Sequence, residues 1–205
     1  PGNTTLEIIK FYDPKSMGGE YYELTNYWGH NSNQKSLKKG DYLFNDGELN
    51  WRTSEHRFQF GKFKTDQTGH NEKMKLYEII KDEDCSGSNE EKMGPKWAYK
   101  NITQKGLERG DWKDIKMKVM YNTLCFKFMN NDYCQEVLKK TLRSGNPVLL
   151  VEDAGINDTF WGNGAAKSSS NPWGSLVDDF KPDTWNKLRG SKSSTARGYN
   201  WLGLL

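Results

Sequence analysis

Cysteine and histidine are scarce in this chain of 205 residues. The cysteines are Cys85, Cys125 and Cys134, which lie far apart and include no C-x-x-C pair, and the histidines number 3. Such a set argues against both a disulfide scaffold and a zinc site. We therefore expect a reducing intracellular setting, cytoplasmic or nuclear, with no metal and no cofactor.

Long apolar runs and an excess of one charge are also missing. The longest aliphatic run, Val148 to Val151, is far shorter than the roughly 20 residues that a membrane span needs, so we expect no membrane partner. The net charge is only +3, and it forms no basic stripe of the kind that favours direct nucleic-acid binding. Because no change in composition divides the chain, we predict one domain over residues 1–205 and a monomer.

Aromatic residues are abundant, with 8 Trp, 10 Tyr and 9 Phe, a content suited to stacking flat rings. Apolar patterns and turn residues predict strands at 6–12 and 148–151 and a hairpin around Asn45-Asp46-Gly47. They also predict helices at 71–80, 96–102, 111–128 and 134–141. The helix at 111–128 has the broadest apolar face, and Asp111 is placed to cap it.

The segment TSEHRFQFGKF, residues 53–63, is the most unusual one. The hydroxyls of Thr53-Ser54 favour the start of a helix, which we predict to run for about three turns. At about 100° per residue, Glu55, Gln59 and Lys62 then form a polar stripe inside an aromatic face. Burial of Glu and Lys is costly without partners, so the stripe indicates an internal ion pair, a helix rotated towards solvent, or a functional site.

A second candidate region follows the strand at 148–151. Its acidic, aromatic and glycine residues are typical of a ligand-binding loop, and the alternative for the acidic ones is turn formation and helix capping. The residues in question are Glu152, Asp153, Asp158, Trp161, Gly162 and Gly164. Residues 165–197 differ in composition and contain serine-rich ends around several aromatics.

Several motifs together resemble the NADAR (NAD- and ADP-ribose-associated) family, which includes the bacterial YbiA-like proteins. They occur in the family's order across nearly the whole chain, and TSEH-x-x-Q-x-x-K with D-x-x-W-G-x-G is the most specific combination. The motifs are LTNYW (24–28), WRTSEHRFQFGKF (51–63), DWKDIKMKVM (111–120), NDTFWGNG (157–164) and GYNWLG (198–203). The chain departs from the family where Lys100-Asn101-Ile102 replaces a Gly-Arg, where Thr25 replaces a Ser, and in an insertion at about 165–197.

The resemblance implies a compact, mostly helical α+β domain with a small β element and N-glycosidase activity. Family members remove ADP-ribose from guanine bases, and others cleave riboflavin-pathway intermediates. By matching motifs, Lys62 and Glu55 are the expected catalytic residues. The expected substrate-binding residues are Asn26, Ser54, Gln59, Trp112, Asp158, Trp161 and Gly162.

Two routes are open for such a reaction. Glu55 can act as both general acid and general base, or Lys62 can form a Schiff base with the anomeric carbon while Glu55 moves protons, which the resemblance favours. On a continuous helix these residues lie about 10 Å apart along the axis, and backbone N–H groups near Thr53-Ser54 are a candidate phosphate site.

The expected partner is an ADP-ribose-containing ligand, free or on DNA or RNA. The alternatives are an aminopyrimidine ribotide as substrate and an ADP-ribose-binding module without catalysis.

Overall fold

Helices form most of the part of the chain that the structure describes, which confirms a mostly helical α+β fold. The structure is a computed structural model, and it describes residues 7–11, 21–29, 37–38, 40–81, 95–142, 148–152, 161 and 203. Two compact units are present, one of Pro1–Thr25 with Val137–Leu205 and one of Asn26–Glu136. Because one domain can contain two compact units, the single domain over 1–205 stays a prediction. No helix within the described ranges has the length and apolar character needed to cross a membrane.

The first unit contains a parallel pair of strands. Strand β1 (Glu7–Phe11) pairs with strand β4 (Val148–Glu152), with Glu7 opposite Val148 and Phe11 opposite Glu152. Both segments are rich in β-branched and aliphatic residues, and alternate residues of β4 are buried, as the period of a strand requires. The strands predicted at 6–12 and 148–151 are therefore confirmed, with small changes at their ends.

The second unit contains the predicted hairpin. Strands β2 (Phe44–Asn45) and β3 (Asn50–Trp51) are antiparallel, and Gly47 has a φ of 93°, which favours glycine at this turn. The hydroxyl of Tyr77 both donates to the carbonyl of Asn50 at 2.9 Å and accepts from its N–H at 3.1 Å. The hairpin therefore holds a fixed position directly before helix α1 (Ser54–Phe60).

Helix α1 is shorter than the sequence predicts. It ends at Phe60 and so runs for about two turns, not three. Gly61 lies against the long helix α4 (Trp112–Met129), where a Cβ on Gly61 would come within 2.7 Å of Val119 Cγ1. The chain then leaves the helix because Phe63 forms a β-bridge with Glu108. This tertiary pairing ends the helix although no Pro stops it in the sequence.

Aromatic and ionic contacts hold α1 on two sides. The Phe60 ring lies 5.4 Å from the Trp51 ring and 6.0 Å from the Trp97 ring, measured between centroids. On another side, Arg57 donates to Asp46 Oδ2 at 2.7 Å and to Thr123 Oγ1 at 2.8 Å. On the helical pattern, Arg57 and Gly61 lie opposite the polar stripe and would be expected to face solvent. The structure corrects this expectation, because both residues pack against neighbouring elements.

The other helices follow the predicted order with corrected ends. They are α2 (Gln67–Ile80), α3 (Pro95–Ala98, continued by a π-helical turn at Tyr99–Thr103), α4 and α5 (Asp132–Lys140). Helix α2 begins before the predicted residue 71 because Asp66 caps it by accepting from the Gly69 N–H at 2.6 Å. Asp111 does not cap α4 as predicted, because its carboxylate instead binds Arg109 at 2.6 and 3.0 Å.

Arg52 is buried directly before α1 and organises the surrounding backbone. Its guanidinium donates to the carbonyl oxygens of Leu37 at 2.6 Å, Lys38 at 2.8 Å and Asp41 at 3.0 Å. We predict that Arg52→Met lowers the free energy of unfolding by about 2 to 4 kcal/mol, because three carbonyl groups lose a charged donor and the one on Leu37 is buried. Urea unfolding measures this, with Arg109→Met as the matched control, since it removes only a surface ion pair and should change stability little. Equal stability of both variants would contradict the prediction.

Candidate active site

The start of α1 is defined by hydrogen bonds that occupy its first N–H groups. Thr53 Oγ1 accepts from the His56 N–H at 3.1 Å, and the carbonyl of Asn26 accepts from the Glu55 N–H at 3.0 Å. Thr53 is therefore the N-cap that the sequence predicts. Because these N–H groups are already engaged, the geometry gives no support to a phosphate site at this helix end.

His56 has a defined state beside this cap. Burial, together with the nearby Arg52 charge, lowers the pKa of His56 to about 3, so the ring is neutral at physiological pH. His56 Nδ1 lies 2.6 Å from Thr53 Oγ1. Since this buried hydroxyl needs an acceptor for its proton, we assign Nδ1 as the acceptor and Nε2 as the protonated nitrogen.

Glu55 and Gln59 lie on one face of α1, one turn apart, as the predicted stripe requires. Gln59 Nε2 donates a hydrogen bond to Glu55 Oε1. A carboxylate oxygen accepts but does not donate, so this bond fixes the orientation of the Gln59 amide. Its carbonyl oxygen Oε1 is consequently directed away from Glu55.

Three buried polar atoms next to Glu55 have no hydrogen-bond partner among the described residues. They are Asn26 Oδ1, Ser54 Oγ and Gln59 Oε1. The exposed fractions are 5% for Asn26, 0% for Ser54, 6% for Glu55 and 2% for Gln59. Each buried polar group without a hydrogen bond costs about 1 to 3 kcal/mol of folding free energy. Two of these groups lie on α1 and the third lies on Asn26, whose carbonyl binds the start of α1, so together they indicate a ligand site.

Lys62 lies beyond the end of α1, and a neighbouring segment holds its backbone. The Arg109 N–H donates to the Lys62 carbonyl at 2.9 Å, and the Lys64 N–H donates to the Leu107 carbonyl at 2.9 Å. These two bonds flank the bridge between Phe63 and Glu108. Lys62 is therefore positioned by residues 107–109 as well as by the end of α1, where its N–H donates to the Gln59 carbonyl at 3.1 Å.

The amine of Lys62 lies in a partly desolvated and charged environment. Its Nζ is 5.7 Å from the centroid of the Trp112 ring, which in turn lies 5.1 Å from the Phe58 ring. Burial lowers the pKa of Lys62 below its usual value, against the opposing effects of Glu55 and Glu108, while Lys116 lowers it further. The structure thus brings Lys62, Glu55 and Trp112 together, and burial shifts the amine towards its nucleophilic neutral form.

The electrostatic interaction between Glu55 and Lys62 fits both an internal ion pair and a catalytic pair. The unpartnered oxygens of Asn26, Ser54 and Gln59 distinguish these two interpretations, because a purely structural ion pair gives no reason to leave buried acceptors unpaired. We therefore favour a functional site at α1.

The remaining predicted site residues belong to the loop after β4. Trp161 is half-buried within the first unit, whereas Asp158 and Gly162, like the insertion at about 165–197, lie outside the described residues. Their proposed roles therefore stay predictions. Within the described ranges, no group of three His, Cys, Asp or Glu side chains is placed to hold a metal ion.

Sequence reasoning missed Glu108 and Lys116 as neighbours of Lys62. Glu108 comes close through the β-bridge to Phe63, which is a long-range pairing without a local signal. Lys116 follows Trp112 by one turn of α4 and therefore lies on the same face of the helix. Since Trp112 was an expected site residue, this spacing could have indicated that Lys116 lies near the site. The carboxylate of Glu108 also accepts a hydrogen bond from Thr103 Oγ1, which restrains it.

We predict that substitution of Glu108 and of Lys116 shifts the acidic limb of the pH–rate profile in opposite directions. Glu108→Gln removes a negative charge that stabilises the ammonium form, so the pKa of Lys62 falls and activity extends to lower pH. Lys116→Gln removes a positive charge, so the pKa rises and the limb moves to higher pH. The rate measured as a function of pH gives the shift of the limb. NMR titration of the ¹³C-methylated protein gives the pKa of Lys62 directly. Shifts of the same sign in both variants would contradict the prediction.

A model of the NADAR domain family matches residues 10–205, which is nearly the whole chain. The chain belongs to the NADAR family. The expected resemblance is therefore confirmed, and because members of the family are N-glycosidase-type hydrolases, membership supports a glycosyl hydrolase.

Individual relatives include two plant proteins, each named riboflavin biosynthesis protein PYRR, chloroplastic. The one from Zea mays is 30% identical over 173 residues, which cover 83% of this chain and 24% of that protein. The one from Arabidopsis thaliana is 37% identical over 90 residues, which cover 44% of this chain and 14% of that protein. The chain thus spans about a quarter or less of the length of these relatives.

Among solved structures, the NMR structure of the E. coli protein YbiA is similar to this NADAR chain. It is 26% identical with a TM-score of 0.45, and the match covers 77% of this chain and 73% of YbiA.

Proposed function

We propose that this NADAR protein hydrolyses the N-glycosidic bond between ADP-ribose and guanine, with Lys62 as nucleophile and Glu55 as proton carrier. The observation that carries the proposal is the position of the Lys62 amine, which is partly desolvated, lies over the Trp112 ring and is close to Glu55. A binding module without catalysis has no need for a lysine whose pKa is lowered beside a carboxylate.

The proposed chemistry uses these two groups in sequence. The ammonium proton of Lys62 passes through the Glu55 carboxylate to the ribose ring oxygen, which opens the sugar and leaves a C=N bond to the guanine nitrogen. The neutral Lys62 Nζ adds to this carbon, the proton that Nζ then loses passes through Glu55 to the guanine nitrogen, and guanine leaves as the amine, so a lysine imine remains. Water then adds to the imine, the C–N bond to Lys62 breaks, and ADP-ribose is released with the free amine regenerated.

Phe58 and Trp112 support this chemistry by excluding water from one side of the amine. Their rings, which are tilted by 54° to one another, cover apolar area next to Lys62, and a lower local dielectric disfavours the ammonium form. Trp112 also offers a flat surface for the base or for the opened sugar. Both roles require the ring to keep its place at the start of α4.

One assay tests the proposal directly. Incubation with ADP-ribosylated guanosine, as a nucleoside and within an oligonucleotide, should release free ADP-ribose, which mass spectrometry detects. The comparison of the two forms shows whether the substrate base is free or in a polynucleotide. No release from either form by the folded wild-type protein would refute the proposal.

A second candidate substrate is an aminopyrimidine ribotide. The similarity to the plant proteins named for riboflavin biosynthesis favours it, since 83% of this chain aligns with the protein from Zea mays. The same two catalytic groups are suited to its N-glycosidic bond. Parallel assays with the ribotide and with ADP-ribosylated guanosine rank the two substrates by rate, and turnover of the ribotide alone would reverse our choice.

A further inference from the structure

The oxygen atoms that lack partners around Glu55 share one chemical property, which is that they accept hydrogen bonds. Gln59 is the clearest case, because its amide nitrogen donates to the carboxylate of Glu55, whereas its carbonyl oxygen has no partner among the described residues. Asn26 has the same arrangement, since its amide nitrogen donates to Met120 Sδ at 3.5 Å and its Oδ1 has no partner in the described part of the chain. A ligand that satisfies both must present N–H or O–H groups.

A phosphate group does not meet this requirement. Its oxygens are acceptors and carry negative charge, so at these atoms it would leave the amide oxygens unpaired and would be repelled by a charged Glu55. The first N–H groups of α1, which a phosphate could use, are engaged by Thr53 and Asn26. The group bound at this face is consequently a hydrogen-bond donor without negative charge.

We propose that Gln59 and Asn26 recognise the hydroxyl groups of the sugar that reacts with Lys62, so that the site selects ribose over sugars lacking those hydroxyls. This inference rests on the proposed function, because it takes the reacting sugar to lie between Lys62 and Glu55. The diphosphate of the same ligand then lies away from this face. Ser54 Oγ adds a group that can both donate and accept beside the sugar.

Gln59 gains a second role from this arrangement. A sugar hydroxyl donates to Gln59 Oε1 while Gln59 Nε2 donates to Glu55 Oε1, so one amide connects the substrate to the proton carrier. Hydrogen bonds in such a chain polarise and strengthen one another. A sugar that lacks the hydroxyl breaks the chain at its first bond, and Gln59 is therefore a positioning residue for Glu55 as well as a specificity residue.

Calorimetric titration tests the inference with two ligands and matched variants. The ligands are ADP-ribose and its analogue that lacks the hydroxyl beside the anomeric carbon of the terminal ribose. Wild type should bind ADP-ribose at least about 10-fold more tightly than the analogue, as expected for a hydrogen bond to a buried acceptor. Gln59→Met should lose most of this preference, whereas Gln67→Met, which changes an exposed glutamine at the start of α2, should retain it.

The controls keep the test decisive. Thermal unfolding verifies that Gln59→Met is folded, and Asn26→Leu provides a second variant with the same expected loss of preference. Equal binding of both ligands by wild type, no binding of ADP-ribose, or full preference in both variants would overturn the inference. Equal binding together with release of ADP-ribose from modified guanosine would leave the proposed function standing. A ribose preference without release would instead reject the hydrolase and retain the recognition.

Discussion

Lys62→Ala should reduce the rate of ADP-ribose release by at least about 1,000-fold while the protein remains folded. The loss is expected because the amine forms the covalent bond in the proposed reaction. The fold should persist because Lys62 is held through its backbone, by the Arg109 N–H at 2.9 Å, and its side chain is only half-buried. Burial lowers the pKa of this amine in the native protein, so its removal relieves a desolvation cost.

Two measurements separate chemistry from structure for this variant. Release of ADP-ribose gives the rate, and borohydride reduction in the presence of ADP-ribose should trap a covalent adduct on wild type but not on Lys62→Ala. Lys75→Ala is the matched control, because Lys75 is an exposed lysine whose contact is a surface ion pair with Glu72 at 2.6 Å. A wild type that turns over substrate without any trapped adduct would favour the route in which Glu55 alone serves as acid and base.

Glu55→Gln is expected to have the second largest effect, a loss of about 100- to 10,000-fold in rate, the range typical for removal of a general acid or base. Glutamine keeps the shape of the side chain and can still accept from Gln59 through its amide oxygen. The change therefore removes proton transfer with little disturbance of α1. It also removes a negative charge that raises the pKa of Lys62, so the amine should be neutral at lower pH than in wild type.

This second effect gives the variant a distinctive signature. Its residual activity should have an acidic limb displaced to lower pH, and borohydride trapping should still occur, because the nucleophile remains. Glu78→Gln is the control, since Glu78 is an exposed residue of α2 that forms a surface ion pair with Lys81. A rate within 10-fold of wild type would contradict the assignment and make Glu108, the other carboxylate close to Lys62, the candidate proton carrier.

Much of the fold follows from local patterns. The Asn45-Asp46-Gly47 turn, the strands at β1 and β4 and the long helix after Trp112 were all predictable, because each depends on residues adjacent in sequence. The capping of α2 by Asp66 has a local cause too, although the helix periodicity alone placed its start several residues late. Asp111 shows the limit of such reasoning, since Arg109 competes successfully for the carboxylate that would otherwise cap α4.

The sequence by itself determined the family, the mostly helical fold and the polar stripe of Glu55, Gln59 and Lys62. Only the tertiary structure decided how that stripe is arranged. Gly61 packs on Val119, and Phe63 pairs with Glu108, so Lys62 leaves the helix and lies over Trp112 under the influence of Glu108 and Lys116. Likewise, only the hydrogen bond from Gln59 to Glu55 shows that the Gln59 carbonyl oxygen is directed away from Glu55 and has no partner among the described residues. The physical reason is the same in each case: long-range pairing and burial decide between local conformations of similar energy, and neither is encoded in the residues of a single segment.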